Sequence, residues 1–463
     1  MLADMKEPAE PRRRLRLKPW QWTAVVLMLL FVSGIAGVKL RRYGLEKEIA
    51  RELAAIRARG EPVTQEELDA WYPRVPDAEN GALVLTQALA SATEIGERDS
   101  VDLGELLKTM GQSPLSPDSL DKIRRAVSER ETVLHQLRIG LDGTAFRYPI
   151  ELTNGPFTKL PHLGGLMGAA QLLTLEAGLR VVDQRPDLAA EGLVNGLKLA
   201  DTLKDEPLLI SFLVRAACRS VVYNRAAHCL GSGTFDAASL DRLGQTLAED
   251  GLGTGLSRAM VGERVWGFSA FAPAASAAGF EQLAQGGSAP AFGWEPESVK
   301  TWVEFYAYRA MATDAEDRLH YIRIMSSVVA ACRLPPEQRI PAFSNAVWLG
   351  VSAPGTSRFL VSQMLMPALE KSAVRDLKML AGTRSFRTAL ALERFRLDSG
   401  GSVPESLDAL VPKYFPAVPL DPFDGKPLRY IRHGKGYVVY SVGENLTDEQ
   451  GAAKSDIPFT VEK

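Results

Sequence analysis

Asp314, Asp317, His320 and Tyr321 fall at helical spacing. The three-residue step puts Asp317 and His320 on one helix face, where a carboxylate and an imidazole can act as an acid–base pair or as two metal ligands. The same letters also describe a solvated helix face with Asp314 near its N-terminus. Glu263 beside Arg264, and Glu176 inside the apolar run 172–179, are charges in apolar surroundings. Each serves as an internal ion pair as readily as a general acid. The chain carries no phosphate loop ending in Gly-Lys-Ser or Gly-Lys-Thr, no Gly-x-Gly-x-x-Gly after a strand, no His-Glu-x-x-His, no Cys-x-x-Cys and no Gly-x-Ser-x-Gly. Gly231-Ser232-Gly233 lacks the outer glycine and follows a helix, so a helix C-terminus is the simpler account. Cys218 and Cys229 lie on one expected helix about 16 Å apart, beyond disulfide reach. With Cys332, also in an apolar run, they read as buried and inert.

The elements that must position these groups begin with a membrane segment. Arg12, Arg13, Arg14, Arg16 and Lys18 precede a run without charge from Trp20 to Val38, and Lys39, Arg41 and Arg42 follow it. Nineteen residues at about 1.5 Å each match a hydrocarbon core of about 30 Å. Trp20 and Trp22 suit the interface, and the denser basic cluster ahead of the run holds the N-terminus in the cytoplasm. The expectation is therefore a cytoplasmic basic tail over 1–19 and a transmembrane helix in contact with membrane lipid over 20–40. The expected protein is a single-pass one of the cytoplasmic (inner) membrane, with its bulk extracytoplasmic. A cleaved signal peptide, cut near Gly34-Ile35-Ala36, is the rival. Over the whole chain 54 basic residues oppose 56 acidic ones, which gives no electrostatic case for nucleic acid.

Residues 41–150 read as a juxtamembrane helical region. Thr64 and Glu67 form a capping-box pattern, 97–120 is polar and turn-rich with a cap at Ser116 or Ser119, and 121–141 is one helix. Residues 151–355 read as a helical array with helices at 163–183, 188–204, 208–230, 237–249 and 256–268, separated by breaks short enough to force antiparallel neighbours. An irregular insertion occupies 271–296, and helix returns over 299–333. The aromatics Trp302, Phe305, Tyr306 and Tyr308 at its start read as core. Arrays of this kind commonly present a concave face to a partner.

The last stretch, within a module spanning 356–463, has the most ordered signal. Phe386, Leu390 and Leu397 mark an amphipathic helix that stops at Asp398-Ser399-Gly400-Gly401, where glycine tolerates a left-handed backbone. Pro404 and a turn over 406–411 follow. Next comes the proline-rich loop Val418-Pro419-Leu420-Asp421-Pro422-Phe423 with Gly425, and then two β-prone runs joined at His433-Gly434-Lys435-Gly436.

These residues, with Ala391-Leu392-Glu393-Arg394-Phe395-Arg396-Leu397-Asp398-Ser399-Gly400, Ser406-Leu407-Asp408-Ala409-Leu410 and Tyr440-Ser441-Val442-Gly443, resemble the major pseudopilin of type II secretion systems and, more loosely, the heads of type IV pilin-like proteins. The resemblance covers 384–459. It implies an α+β module with a small antiparallel sheet and a place in a secretion-related assembly. It also implies calcium in the loop after Gly443, with Asn445, standing where an aspartate is usual, Asp448 and Asp456 as oxygen donors beside the Val442 carbonyl. The expected fold is mainly α: a transmembrane helix, an α-helical array and the pseudopilin-like α+β module. The expected role is a membrane-anchored extracytoplasmic interaction module that binds other envelope proteins. The alternatives are a hydrolase with its site in the helical domain and a filament subunit that packs laterally through a long helix over 368–398.

Overall fold

The computed structural model describes residues 18–99, 101–112, 115–247, 252–271, 308, 310–366 and 369–463. The basic cluster at 12–16, the body of the 271–296 insertion and the aromatics Trp302, Phe305 and Tyr306 lie outside these residues. The protein is mainly α-helical, with one apolar helix near its N-terminus and a small antiparallel sheet near its C-terminus.

Helix α1, Pro19–Ala58, is continuous for 40 residues, or about 60 Å. Its first half is long and apolar enough to cross a membrane and buries nothing in the fold. Its second half buries Ile49 and Ile56 against Leu319 and Ile322. Two residues past the helix, Gly60 takes a φ of 76°, a left-handed backbone that favours glycine. Thr64 then caps α2, Gln65–Trp71, accepting the Glu67 N–H at 3.2 Å. The Glu67 carboxylate takes the Val63 N–H at 2.8 Å, one residue short of the usual capping-box target.

Helix α3, Gly81–Asp99, leads into a stretch that the sequence marks only as turns, and there the chain forms α4, Leu103–Met110. Asp102 caps it through the Gly104 and Glu105 N–H groups at 2.8 and 3.1 Å. The single helix expected over 121–141 is two, α5 (Pro117–Ser128) and α6 (Glu131–Leu141). Between them the chain turns at Arg130, a buried side chain that donates to the Ala126 carbonyl at 3.1 Å. Ser116 is the cap of α5.

Helices α7 (Pro161–Val182), α8 (Pro186–Asp201) and α9 (Leu209–Ser232) pack mutually, and α10 (Ala237–Thr246) and α11 (Leu252–Ser269) lie against them. Helices α12 (Thr313–Ala331) and α13 (Pro336–Val351) form a hairpin. The short α14, Leu360–Leu365, precedes the long α15, Glu370–Asp398, which stops where Gly400 and Gly401 take φ values of 67° and 103°.

The sheet has the order β1 (Arg429–His433), β2 (Gly436–Ser441), β3 (Ile457–Val461), all antiparallel. His433 pairs with Gly436, leaving Gly434-Lys435 as the two-residue turn. One apolar cluster joins Leu193 of α8 and Val222 of α9 to Phe386 and Leu390 of α15 and to Tyr437, Val439 and Phe459 of the sheet. Helix α15 is thus sandwiched between the helical body and the sheet, and its apolar face is spent there.

Candidate functional site

Helices α9 and α15 meet through small residues. Ala216, Ala217, Ser220 and Ala227 on α9 face Gly382 on α15, and strand β3 adds Ile457, Pro458 and Phe459. At Gly382 a Cβ would stand 2.7 Å from a ring carbon of Tyr223, so glycine permits the close approach there. Elsewhere the small side chains leave the space between the helices unfilled, as a groove of about 360 Å³.

The polar groups of this groove are few and distinctive. The Ser385 hydroxyl, on a side chain 1% exposed, has no hydrogen-bond partner, which a buried polar atom rarely tolerates without a ligand or water. Tyr223 accepts from Arg219 Nε at 2.8 Å and shares a 2.6 Å bond with Thr383. Arg375 and Lys378 stand exposed on the rim, and Lys371 is one turn before them; among the described residues none has an ion-pair partner. A second depression of about 460 Å³, between α10 and the end of α15, differs in this respect. There Arg394 pairs with Asp241 at 3.3 Å and Lys413 with Asp398 at 2.6 Å. Unmatched charge therefore distinguishes the first groove from the second.

The groups with chemical promise in the sequence do not come together. Asp317 is buried and accepts from the Tyr308 hydroxyl at 2.7 Å, the Val361 N–H at 3.0 Å and the Ser362 hydroxyl at 2.5 Å. It caps α14. His320 instead bonds the Gly350 carbonyl at 3.1 Å and packs at a tilt against the Phe359 ring. Asp314 pairs with Arg42 at 2.6 Å, and the Tyr321 hydroxyl donates to the Glu263 carbonyl at 2.9 Å. Glu176 is an ion-pair residue, 2.6 Å from Arg138 and 3.0 Å from Arg180. All three cysteines are buried and free.

Glu263 and its neighbour separate. Arg264 turns to Glu61 at 2.8 Å, leaving Glu263 with a single 3.3 Å bond from the Leu209 N–H. Burial pushes the Glu263 carboxyl up to about 7 from its ordinary 4.5. Between those values the folded protein holds a proton that the unfolded chain has lost, so stability falls as pH rises through the window and the cost is complete above it. Glu263→Gln is expected to gain about 3 kcal/mol at pH 8 and nothing near pH 4.5. Urea unfolding at both values checks this, and equal stability of variant and parent at pH 8 contradicts it.

One buried cluster has no signal in the sequence, because its members are distant in the chain. His162 lies 3.1 Å from Glu206, Ser211 donates to the same carboxylate, and Tyr148 stacks on the imidazole at 4.2 Å. Serine, histidine and acid are all present. The serine bonds the carboxylate and not the imidazole, however, and all three are buried, so no activated nucleophile is formed.

In the C-terminal loop, Asn445 Oδ1 accepts the Thr447 N–H at 3.1 Å while its amide donates to Glu449 at 2.7 Å. Asp448 accepts the Tyr440 hydroxyl and the Gln450 N–H, both at 2.9 Å, and Asp456 accepts the Gly451 N–H at 2.7 Å. Two buried carboxylate oxygens, one on Asp456 and one on Glu449, lack partners. Calcium needs six to eight oxygens. Among the described residues no group of three or more His, Cys, Asp or Glu side chains is placed to hold a metal ion.

Comparison with family models, with curated proteins and with solved structures returns no match. Fold and site together define a membrane-associated protein with a helical body and a small sheet.

Proposed function

We propose that this chain is a single-pass tether of the cytoplasmic membrane, with its N-terminus in the cytoplasm and its body on the outer side. Its groove between α9, α15 and β3 takes an acidic, partly apolar segment of another envelope protein. The observation that carries this reading is the unpaired cation ridge Lys371, Arg375 and Lys378, at steps of four and three on one helix, beside an apolar floor. Such a surface suits a partner whose carboxylates meet the ridge while its apolar side chains fill the groove. Anchoring raises the effective concentration of the groove near membrane-bound partners and fixes its direction.

The C-terminal module is read as pseudopilin-like on its order of helix, glycine stop, proline loop and hairpin. A filament role is not part of the proposal, because α15 packs on α9, α10 and the sheet and keeps no apolar stripe for lateral contacts. Hydrolysis is not part of it either, because Asp317 and His320 serve separate structural bonds.

A photo-crosslinking residue replacing the exposed Asn224 on the groove rim, in cells that keep their membranes intact, tests the reading. The expected adduct maps to a peptide rich in aspartate or glutamate, and its yield falls at least tenfold in Arg375→Glu/Lys378→Glu. A yield unchanged by that charge reversal overturns the proposal.

A further inference from the structure

Five helices converge at the start of α11. Arg215 and Arg219 of α9, 2% and 0% exposed, share the one Asp201 Oδ1 atom at the end of α8, at 2.9 and 2.6 Å. Arg339 of α13, itself buried, pairs with Asp376 of α15 at 2.7 Å. Both groups lie against the first turn of the 18-residue α11. A Cβ on Gly253 would stand 3.5 Å from Arg339 Nη2, and one on Gly255 would stand 3.2 Å from Arg215 Nη1. Thr254 between them is exposed, so the turn opens to solvent.

The pairing of these charges is incomplete. Three guanidiniums meet two carboxylates, which leaves one positive charge in excess. Among the described residues the buried Arg215 Nη1 and Arg219 Nη2 have no hydrogen-bond acceptor, and an unsatisfied charged donor costs more than a neutral one. The position adds to the cost. A helix N-terminus carries a partial positive charge and N–H groups without intrahelical acceptors, so cations are the wrong neighbours for it. An anion seated on the turn offsets the excess charge and the helix end together.

We propose that the first turn of α11 binds the phosphate group of a soluble phosphorylated molecule, with Arg339 Nη2 and the Gly253 N–H as donors and Arg215, behind Gly255, as fixed positive charge. A phosphate has oxygens enough to meet a guanidinium and a helix N-terminus at once, and glycine at 253 lets it approach the backbone. On the reading that α1 crosses the bilayer, a lipid headgroup is out of reach. Ala58 ends α1 twenty residues past Val38, about 30 Å along the axis. Arg264 reaches Glu61 beyond that end, whereas the Phe268 ring lies 6.0 Å from Arg318, which pairs with Glu46. Helix α11 therefore runs toward the membrane, and its first turn points away from it.

Full-length protein in phosphatidylcholine nanodiscs, titrated with inorganic phosphate against chloride of equal ionic strength, provides the test, with thermal unfolding read by tryptophan fluorescence. The expected result is a saturable rise in the unfolding midpoint. Gly253→Glu brings its own carboxylate to the turn, so it is expected to unfold above the parent without phosphate and to weaken the apparent affinity by roughly tenfold or more. Arg339→Lys keeps the charge beside Asp376 but not the planar fork, and is expected to weaken it several-fold. No saturable rise in the parent overturns the proposal, and so does a response that Gly253→Glu keeps in full, which places the anion elsewhere. A response seen only in Glu249→Gln/Asp250→Asn would mean that the chain's own carboxylates serve the turn, and overturns it too. Stabilisation by phosphatidic acid in the disc in place of free phosphate would contradict the soluble source.

Discussion

Glu61→Gln is expected to destabilise the protein by about 3–5 kcal/mol, the usual cost of removing one partner from a buried ion pair. Glu61 and Arg264 are 4% and 3% exposed at their side chains and stand 2.8 Å apart, and Arg333 reaches the second carboxylate oxygen at 2.7 Å. The neutral amide keeps the shape but leaves the Arg264 guanidinium buried without a counter-charge. Burial alone would raise the Glu61 carboxyl, but the two arginines prevail and hold it below its ordinary value. Its contribution is therefore full above about pH 4.5 and is lost as pH falls through the lowered value. Denaturant unfolding at pH 7 measures the loss. Because Glu61 follows the last residues of α1, the variant should also be cut faster by protease between α1 and α2. A loss below 1 kcal/mol would show that the pair is not a structural joint.

Asp421→Ala is expected to cost about 3 kcal/mol or more, since each buried donor left without an acceptor costs roughly 1–3 kcal/mol. The Asp421 side chain is fully buried and accepts the Phe423 and Val442 N–H groups at 2.9 Å, the Ser441 hydroxyl at 2.8 Å and Arg429 at 3.1 Å. It ties the proline-rich loop to the end of β2. Arg429 keeps Asp424 as a partner, so the main penalty falls on the two backbone amides. Asp421→Asn should cost less, because one oxygen acceptor survives. Unfolding curves of both variants, with hydrogen exchange at Phe423 and Val442, distinguish this knot from a passive loop. Parent-like stability of the alanine variant would contradict it.

What the sequence discloses is local. Gly60, Gly400 and Gly401 mark helix ends that the backbone takes up with positive φ, and His433-Gly434-Lys435-Gly436 marks the hairpin that forms. Helix α4 escapes notice because it has eight residues among turn formers, although Asp102 before Leu103 and Leu106 is a cap ahead of an apolar step. Strand β3 escapes because Pro458 interrupts a β-prone run, which an edge strand accommodates. The acid–base pair suggested by Asp317 and His320 dissolves because spacing gives a shared face but not the neighbours that claim each side chain. The groove has no signal of its own. Its floor is alanine and glycine, and its walls come from helices about 160 residues apart. The joint between Arg264 and Glu61 spans 203 positions, so the neighbouring Glu263 reads as the obvious partner until the chain is folded.

The most direct test of the account is charge-swap rescue at the groove. Once the acidic peptide captured from position 224 is known, its carboxylates are changed to lysine and capture is measured against parent and Arg375→Glu/Lys378→Glu chains in membranes. The account predicts that each single-sided reversal lowers capture at least tenfold and that the two reversals together restore most of it. Capture that ignores the charge on either side would contradict it.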